Sequence, residues 1–216
     1  FRVIKHLELS FAESATLFYG ENGAGKTSIL EAIDFLSRGR TFRSRRLAPL
    51  LRRGSQTLTV GGTVVEGNHA TRLGIQKTAG KTILRCNQEK AKSISGHASH
   101  LPIVCMHPDS HQLIQGGALN RRNYLDWSAF HVEPDFLLRW RKYNKCLRQR
   151  NYILRQMGGT TRGLAEWTQK LSIIGESIDQ ARSKIFKEVN TIFAEYNDKL
   201  LPEAKISLNY YRGWPS

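Results

Sequence analysis

Eight consecutive residues, Gly20-Glu21-Asn22-Gly23-Ala24-Gly25-Lys26-Thr27, fit the pattern G-x-x-x-x-G-K-[ST] at every fixed position. The spacing has a physical cause. Glycines let the backbone turn tightly and aim successive N–H groups at phosphate oxygens with no Cβ in the way. A helix opening at Gly25 adds its positive N-terminal end. Lys26 supplies a mobile point charge for β and γ phosphates, the Thr27 hydroxyl a ligand for magnesium, and Ser28 completes the nucleotide-binding set. The flanking pattern agrees: Thr16-Leu17-Phe18-Tyr19 reads as a strand running into the loop. After it, Ile29, Leu30, Ile33, Phe35 and Leu36 recur at helical spacing over Thr27 to Ser37. The implied ligand is a nucleoside triphosphate, ATP with magnesium.

Around this loop the first half reads as short strands. Arg2 to Leu9 and Ala15 to Tyr19 form strand-like runs. Thr57 to Val65, Arg72 to Lys77 and Thr82 to Cys86 follow, separated by Gly61-Gly62, Gly67-Asn68 and Ala79-Gly80, the turn signals of an antiparallel meander. Leu101 to Met106 is a further strand candidate closed by Pro108. The second half is helical. Phe136, Leu137, Trp140, Tyr143, Leu147 and Leu154 share a face, and Gly158-Gly159 breaks the run. From Leu164 to Tyr196 apolar residues step by 3 or 4, close to a heptad seam with one step out of phase. Two long helices joined at glycine describe an antiparallel hairpin, and Ile206, Leu208 and Tyr210 alternate as a final strand.

Charge narrows the partner. The chain of 216 residues has a formal net charge of +15, which favours a polyanion through phosphate contacts and counterion release. The charge is clustered: seven arginines and no acid lie between Arg38 and Arg53, and eight Lys or Arg and no acid between Phe136 and Ala165. Two long acid-free runs point to nucleic acid rather than to an ordinary solvated face. No apolar run approaches the ~20 residues needed to cross a bilayer, so no membrane partner is expected. Cys86, Cys105 and Cys146 match neither a disulfide framework nor a zinc spacing, which fits a reducing cytosol. The opening at Phe1 and the stop after Trp214-Pro215-Ser216 read as an excerpt of a longer polypeptide.

Other constellations carry less. No run of four apolar residues ends in Asp, so the second acidic magnesium site that hydrolysis needs is not found. Tyr124-Leu125-Asp126 is too short a run, and Ile103 to Met106 leads into His107-Pro108. Leu36-Ser37-Arg38-Gly39-Arg40 imitates the L-S-x-G-[QE] signature of ABC-type ATPases, but it ends the helix that the phosphate loop begins. Serine and glycine there serve as a helix stop. His97, His100, His107 and His111 lie close together without a metal-ligand geometry and read as solvated or nucleic-acid-facing.

Phe1-Arg2, the phosphate loop with Ser28, Leu30-Glu31-Ala32-Ile33 and Gly39-Arg40-Thr41-Phe42-Arg43-Ser44 carry a joint pattern. Together these segments resemble the RecF family of bacterial DNA replication and recombinational repair ATPases. More specific are Gly116 to Trp127, similar to that family's G-x-x-x-x-R-R-x-[FY]-L-D segment, and Lys145 to Asn151, similar to its L-x-Q-R-N segment. The resemblance implies an ABC-type head with a short helical arm, slow ATP hydrolysis by an ATP-dependent homodimer when full length, DNA binding, and cooperation with RecO and RecR in loading the recombinase at gaps. It implies a bacterial, cytoplasmic, nucleoid-associated protein with a role in the SOS response. It places phosphate near Arg2 and a Q-loop ligand at Asp109 or Gln112. Here Pro108-Asp109-Ser110-His111 departs from the family's Pro-Glu-Asp or Pro-Glu-Gly.

The expected fold is therefore α/β, an ABC-ATPase-like P-loop head with mixed or antiparallel strands plus an α-helical hairpin arm. Residues 1–130 are the head, 131–203 the arm, and 204–216 a strand returning to the head. Arg43, Arg45, Arg46, Arg148 and Arg150 are the expected DNA-binding residues, although Arg40 and Arg43 could line the nucleotide pocket instead. Arg121 and Arg122 are expected to pair with carboxylates. Without the second acid, no catalytic residue is assigned and the chain alone is expected to be inactive. A small-molecule or nucleotide kinase shares the phosphate loop but has no use for two basic runs. A non-catalytic nucleic-acid module would use the loop merely to grip a backbone phosphate.

Overall fold

The computed structural model describes residues 1–44, 46–156 and 163–213. Arg45, the Gly158-Gly159 break and Trp214 fall outside the described residues. The chain divides into two compact units, Phe1–His107 and Pro108–Ser216.

The first unit is built on helix α1 (Lys26–Arg38) and an antiparallel meander of β1 (Leu58–Glu66), β2 (His69–Lys77), β3 (Thr82–Cys86) and the short β4 (Glu89–Lys90), in the order β1-β2-β3-β4. The register pairs Val60 with Ile75 and Gly62 with Leu73. Strand side chains alternate between faces, so one face gathers Leu58, Val60, Val64, Leu73 and Ile75 against Phe35 and Leu36 of α1. Phe35 is fully buried, and the Phe1 ring meets it edge-on at 5.9 Å. Helix α2 (Ile94–His100) lies beside α1. Gly39 ends α1 in the left-handed region at φ 66°, its N–H donating to Phe35 O at 2.8 Å. The L-S-x-G imitation is thus a helix terminator here.

Three expected strands of this unit do not form. Arg2 to Leu9, Ala15 to Tyr19 and Leu101 to Met106 carry no strand ladder. A strand exists only where a neighbour accepts its backbone bonds, and among the described residues none pairs with these segments. Leu17 and Tyr19 accordingly stand more than 80% exposed. At Leu101 and Ile103 the carbonyls accept instead from Ser37 Oγ at 2.7 Å and Arg38 at 2.5 Å. The sheet of the described residues is purely antiparallel, narrower than the mixed sheet left open by sequence.

The second unit is helical: α3 (Gln112–Gln115), α4 (Ala118–Val132), α5 (Phe136–Gln156) and α6 (Leu164–Leu200). The expected hairpin is present as α5 and α6. Ile178, Ala181 and Ile185 of the seam are buried with Phe136 and with Ala129 of α4, and a Cβ added at Gly175 would lie 3.4 Å from the Tyr143 ring. Further along, Ile192 and Tyr196 keep to the seam's spacing but are 54% and 59% exposed. Helix α4 has no clean apolar period in the sequence. Polar contacts hold it: Asp126 accepts from Arg182 Nε at 2.7 Å, from Arg182 Nη2 at 3.0 Å and from Trp140 Nε1 at 3.2 Å, so one carboxylate joins three helices. Residues 204–213 form no strand. Their anchors run to α6 instead: Tyr210 donates to Asp179 at 2.7 Å, and Arg212 Nε sits 2.8 Å from the same carboxylate. Burial and the hydrogen bond to Asp179 raise the Tyr210 pKa well above that of a free phenol.

Both partners of the Asp126–Arg182 pair are less than 20% exposed. Asp126→Ala leaves a partly buried guanidinium and an indole N–H unmatched. It should lower unfolding stability by roughly 1–3 kcal/mol in urea titration. An unchanged midpoint would show that α4 is held by its apolar contacts alone.

Candidate functional site

The phosphate loop begins at Gly20 and runs into α1. Gly20, Gly23 and Gly25 adopt φ of 138°, 84° and 98°, a region closed to most side chains. A Cβ built on Gly20 or Gly23 meets nothing within 4 Å, whereas at Gly25 it would touch Val3 and Ile4. The loop is therefore open on one side and packed at its root. Residues Gly20, Glu21, Asn22, Gly23 and Ala24 are exposed, Gly25 is buried, Lys26 half-buried, Thr27 exposed and Ser28 buried. Gly25 caps the helix without a side-chain hydrogen bond, and the first turn of α1 contains no acid. Helix N–H groups that no side chain satisfies are a fitting cradle for phosphate. Lys26 Nζ bridges Gly20 O and Glu21 O at 2.7 Å each, curling the loop around the ammonium. The donor set thus fits a triphosphate, and Thr27, exposed beside it, could offer its hydroxyl to a metal ion.

What holds this loop is one helical turn further along. Glu31 is fully buried, and its carboxylate pairs with the Arg2 guanidinium and accepts from Thr41 Oγ1 at 3.1 Å. Arg2 is brought there by its own backbone, which takes φ 49° and donates N–H to Leu50 O at 2.8 Å. Its charge is directed to Glu31. Thr41 in turn closes a tight turn, accepting from Ser44 N–H at 3.0 Å. Glu31 was not singled out as a ligand by pattern. The available signal was an acid on the face of α1 that also carries Phe35.

At the far end of α1 lies a second feature, a cavity of about 360 Å³ lined by Asp34, Arg38, Arg40, Phe42, Arg43 and His107, among others. Asp34 is 2% exposed and lies 3.1 Å from Arg38 Nε. Burial raises its pKa, while Arg38, the Phe42 N–H, Arg40 and His107 pull it down. The Phe42 and His107 rings stack at 5.1 Å and 21°. Not all four expected histidines are solvated: His97 is fully buried, and its Nδ1 donates to Leu36 O at 3.2 Å, because α2 packs on α1 there.

Of the expected DNA-binding residues, Arg43, Arg46 and Arg148 are exposed, and Arg150 donates to Thr168 Oγ1 at 3.0 Å across the hairpin. Arg45 lies outside the described residues. Asp109 and Gln112 belong to the second unit. Asp109 sits in the helical turn Pro108–His111, and Gln112 opens α3 beside the His111 ring at 3.1 Å. Arg121 departs from expectation: it donates to the carbonyls of Leu113, Ile114 and Gly116 at 3.3, 3.2 and 2.8 Å rather than to a carboxylate. The C-terminal carbonyls of α3 need donors, and Asp126 is already taken by Arg182.

Comparison with known proteins places these sites in context. A family described as an AAA domain matches residues 1–211. The DNA replication and repair protein RecF of Pseudomonas paraeruginosa is 38% identical over 215 residues, covering 99% of this chain and 58% of that protein. The RecF of Pseudomonas fluorescens is 38% identical over 201 residues, covering 92% and 54%. The chain thus spans little more than half the length of these relatives. Among solved structures, the recombination mediator protein RecF-ATP of the RecFOR pathway superposes with a TM-score of 0.84 at 26% identity, covering 94% of this chain and 56% of that one. A second RecF structure, with ATPrS, gives 0.82.

Two outcomes follow from the geometry. Lys26→Ala should weaken ATP binding by on the order of 100-fold or more, with little change in melting temperature, since the ammonium's hydrogen bonds among the described residues go to loop carbonyls. Calorimetry giving equal affinities would refute the assignment. Asp34 has a raised pKa in the fold, so its stabilising contribution is fully present below the unfolded value of about 3.9 and is lost as pH rises through the folded one. Relative to Asp34→Asn, the native chain should therefore gain melting temperature as pH is lowered from 7 toward 4. A constant difference would exclude the shift.

Proposed function

Because the chain belongs to the AAA-domain family and, within it, to the RecF group, we propose that it is an ATP-dependent DNA-binding protein of DNA replication and recombinational repair. The observation that carries this reading is the loop at the start of α1: three glycines at positive φ, an uncapped helix N-terminus and a lysine folded into the loop. ATP, the ligand named with a related structure, fits this donor set. When bound, magnesium would neutralise part of the triphosphate charge.

The chain's own residues then act in order. Lys26 leaves the carbonyls of Gly20 and Glu21 for phosphate oxygens. The N–H groups of Lys26 and Thr27 orient the same group, and the Thr27 hydroxyl offers an oxygen to the metal. The assignments of Asp109 or Gln112 as Q-loop ligand, of the ATP-dependent homodimer, and of RecO and RecR as partners belong to the same proposal. So do weak hydrolysis by the full-length dimer, recombinase loading at gaps in the SOS response, and a place on the bacterial nucleoid. Among the described residues no helix is long and apolar enough to cross a membrane. DNA would be held by exposed arginines of the two acid-free runs, Arg43, Arg46 and Arg148 with Arg150, through backbone phosphates that carry no base information.

The test uses the chain as it stands. It should bind ATP only with magnesium, show no turnover by itself, and bind DNA of unrelated sequences equally, with log affinity falling steeply against log salt. Arg148→Glu with Arg150→Glu should flatten that slope by about 2 if both touch phosphate. Transfer of phosphate to a small acceptor would favour a kinase. DNA binding without ATP affinity would favour a non-catalytic module. Salt-independent DNA binding would show that the basic runs are not the contact.

A further inference from the structure

The cavity at the C-terminal end of α1 is remote from the phosphate loop along the helix. At about 1.5 Å per residue, the 12 steps from Lys26 to Arg38 place the two helix ends roughly 18 Å apart. Its charge is one-sided. Among the described residues that line it, three guanidiniums, of Arg38, Arg40 and Arg43, stand against one carboxylate, Asp34, which already faces Arg38 at 3.1 Å. The excess of positive charge around a concave space calls for an anion.

The turn that carries two of these arginines is held in place. Arg40 and Arg43 flank Thr41, which is 4% exposed and bonded to Glu31 and to Ser44 on either side of the turn. His107 is held flat against Phe42. Guanidiniums presented from a pinned turn suit the tetrahedral oxygens of a phosphate, which they can meet in bidentate fashion. A cavity of about 360 Å³ leaves room for the sugar attached to that phosphate. A phosphate carried on a flexible chain reaches such a recess more easily than one on a stiff duplex.

We infer that this cavity is a second phosphate site, taking one backbone phosphate of a single nucleic-acid strand while the loop at the other end of α1 takes the nucleotide. The inference rests on the DNA-binding reading above and deepens it. Both sites are tied to the same helix, the strand site through Thr41 and Glu31 and the nucleotide site through Gly25.

The experiment measures binding of a labelled oligothymidylate strand to the full chain across a salt series, with ATP affinity by calorimetry as control. Arg40→Ala with Arg43→Ala should weaken strand binding and reduce the slope of log affinity against log salt by about 0.7, the share of one single-strand phosphate. ATP affinity should stay unchanged. Arg40→Lys with Arg43→Lys keeps the charge and should restore the slope. A strand with a neutral methylphosphonate backbone should bind the native chain and the alanine variant equally weakly. An unaltered slope in the alanine variant, with strand binding intact, overturns the cavity as the site and leaves the DNA-binding reading standing. No strand binding by the native chain at low salt overturns both. A parallel loss of ATP affinity in the alanine variant also overturns the inference, because the arginines would then serve the nucleotide or the fold. Competition by ATP for the strand, abolished by the same substitutions, would show that the cavity takes free nucleotide instead.

Discussion

The first unit depends on a charge it has buried. Glu31 sits fully out of water on α1, and a carboxylate left alone there would cost several kcal/mol. Arg2 and Thr41 remove that cost from two directions, one from the chain's beginning and one from the turn after the helix. Three segments far apart in sequence are thereby held to one point. The apolar packing of Phe35, Leu58, Leu73 and Ile75 stabilises the sheet on α1 but does not choose where the N-terminus and the arginine turn are placed. A non-directional force cannot do that. The buried carboxylate can, because its two oxygens accept only from donors in the right direction.

Helix α1 then has different tasks at its two ends. Its first turn lacks an acid and a side-chain cap, which leaves its N–H groups to an incoming anion. Its last turn carries Asp34 and Arg38 and stops at Gly39. The negative end of the helix dipole is met there by guanidiniums. The C-terminal end is thus answered by the chain's own cations, whereas the N-terminal end has neither an acid nor a side-chain cap.

Much of this was legible in the sequence, and the rest was not for identifiable reasons. The phosphate loop could be read because its function demands fixed residues at fixed spacing. The meander and hairpin could be read because a face buried along a whole element leaves a period. Leu58 to Cys86 and Leu164 to Val189 show it. The segments Ala15 to Tyr19 and Leu101 to Met106 have strand composition yet no ladder, since composition does not say who the neighbour is. Helix α4 left little period because one carboxylate, Asp126, does much of its anchoring. The cavity was invisible for the same reason: Asp34 and His107 are distant in sequence, and a charge's burial is decided by its partners. His97 looked like a surface histidine until Leu36 O supplied an acceptor inside.

The bridge from Lys26 to the carbonyls of Gly20 and Glu21 makes the loop its own first ligand. An entering phosphate must take the ammonium away from two good neutral acceptors. An anion of low charge gains little more than those carbonyls already give. A polyphosphate chain gains much more, because it also meets the helix end and the glycine N–H groups at once. Under the proposed function, the loop therefore favours anions whose charge is concentrated along several linked groups over those that carry a single charge.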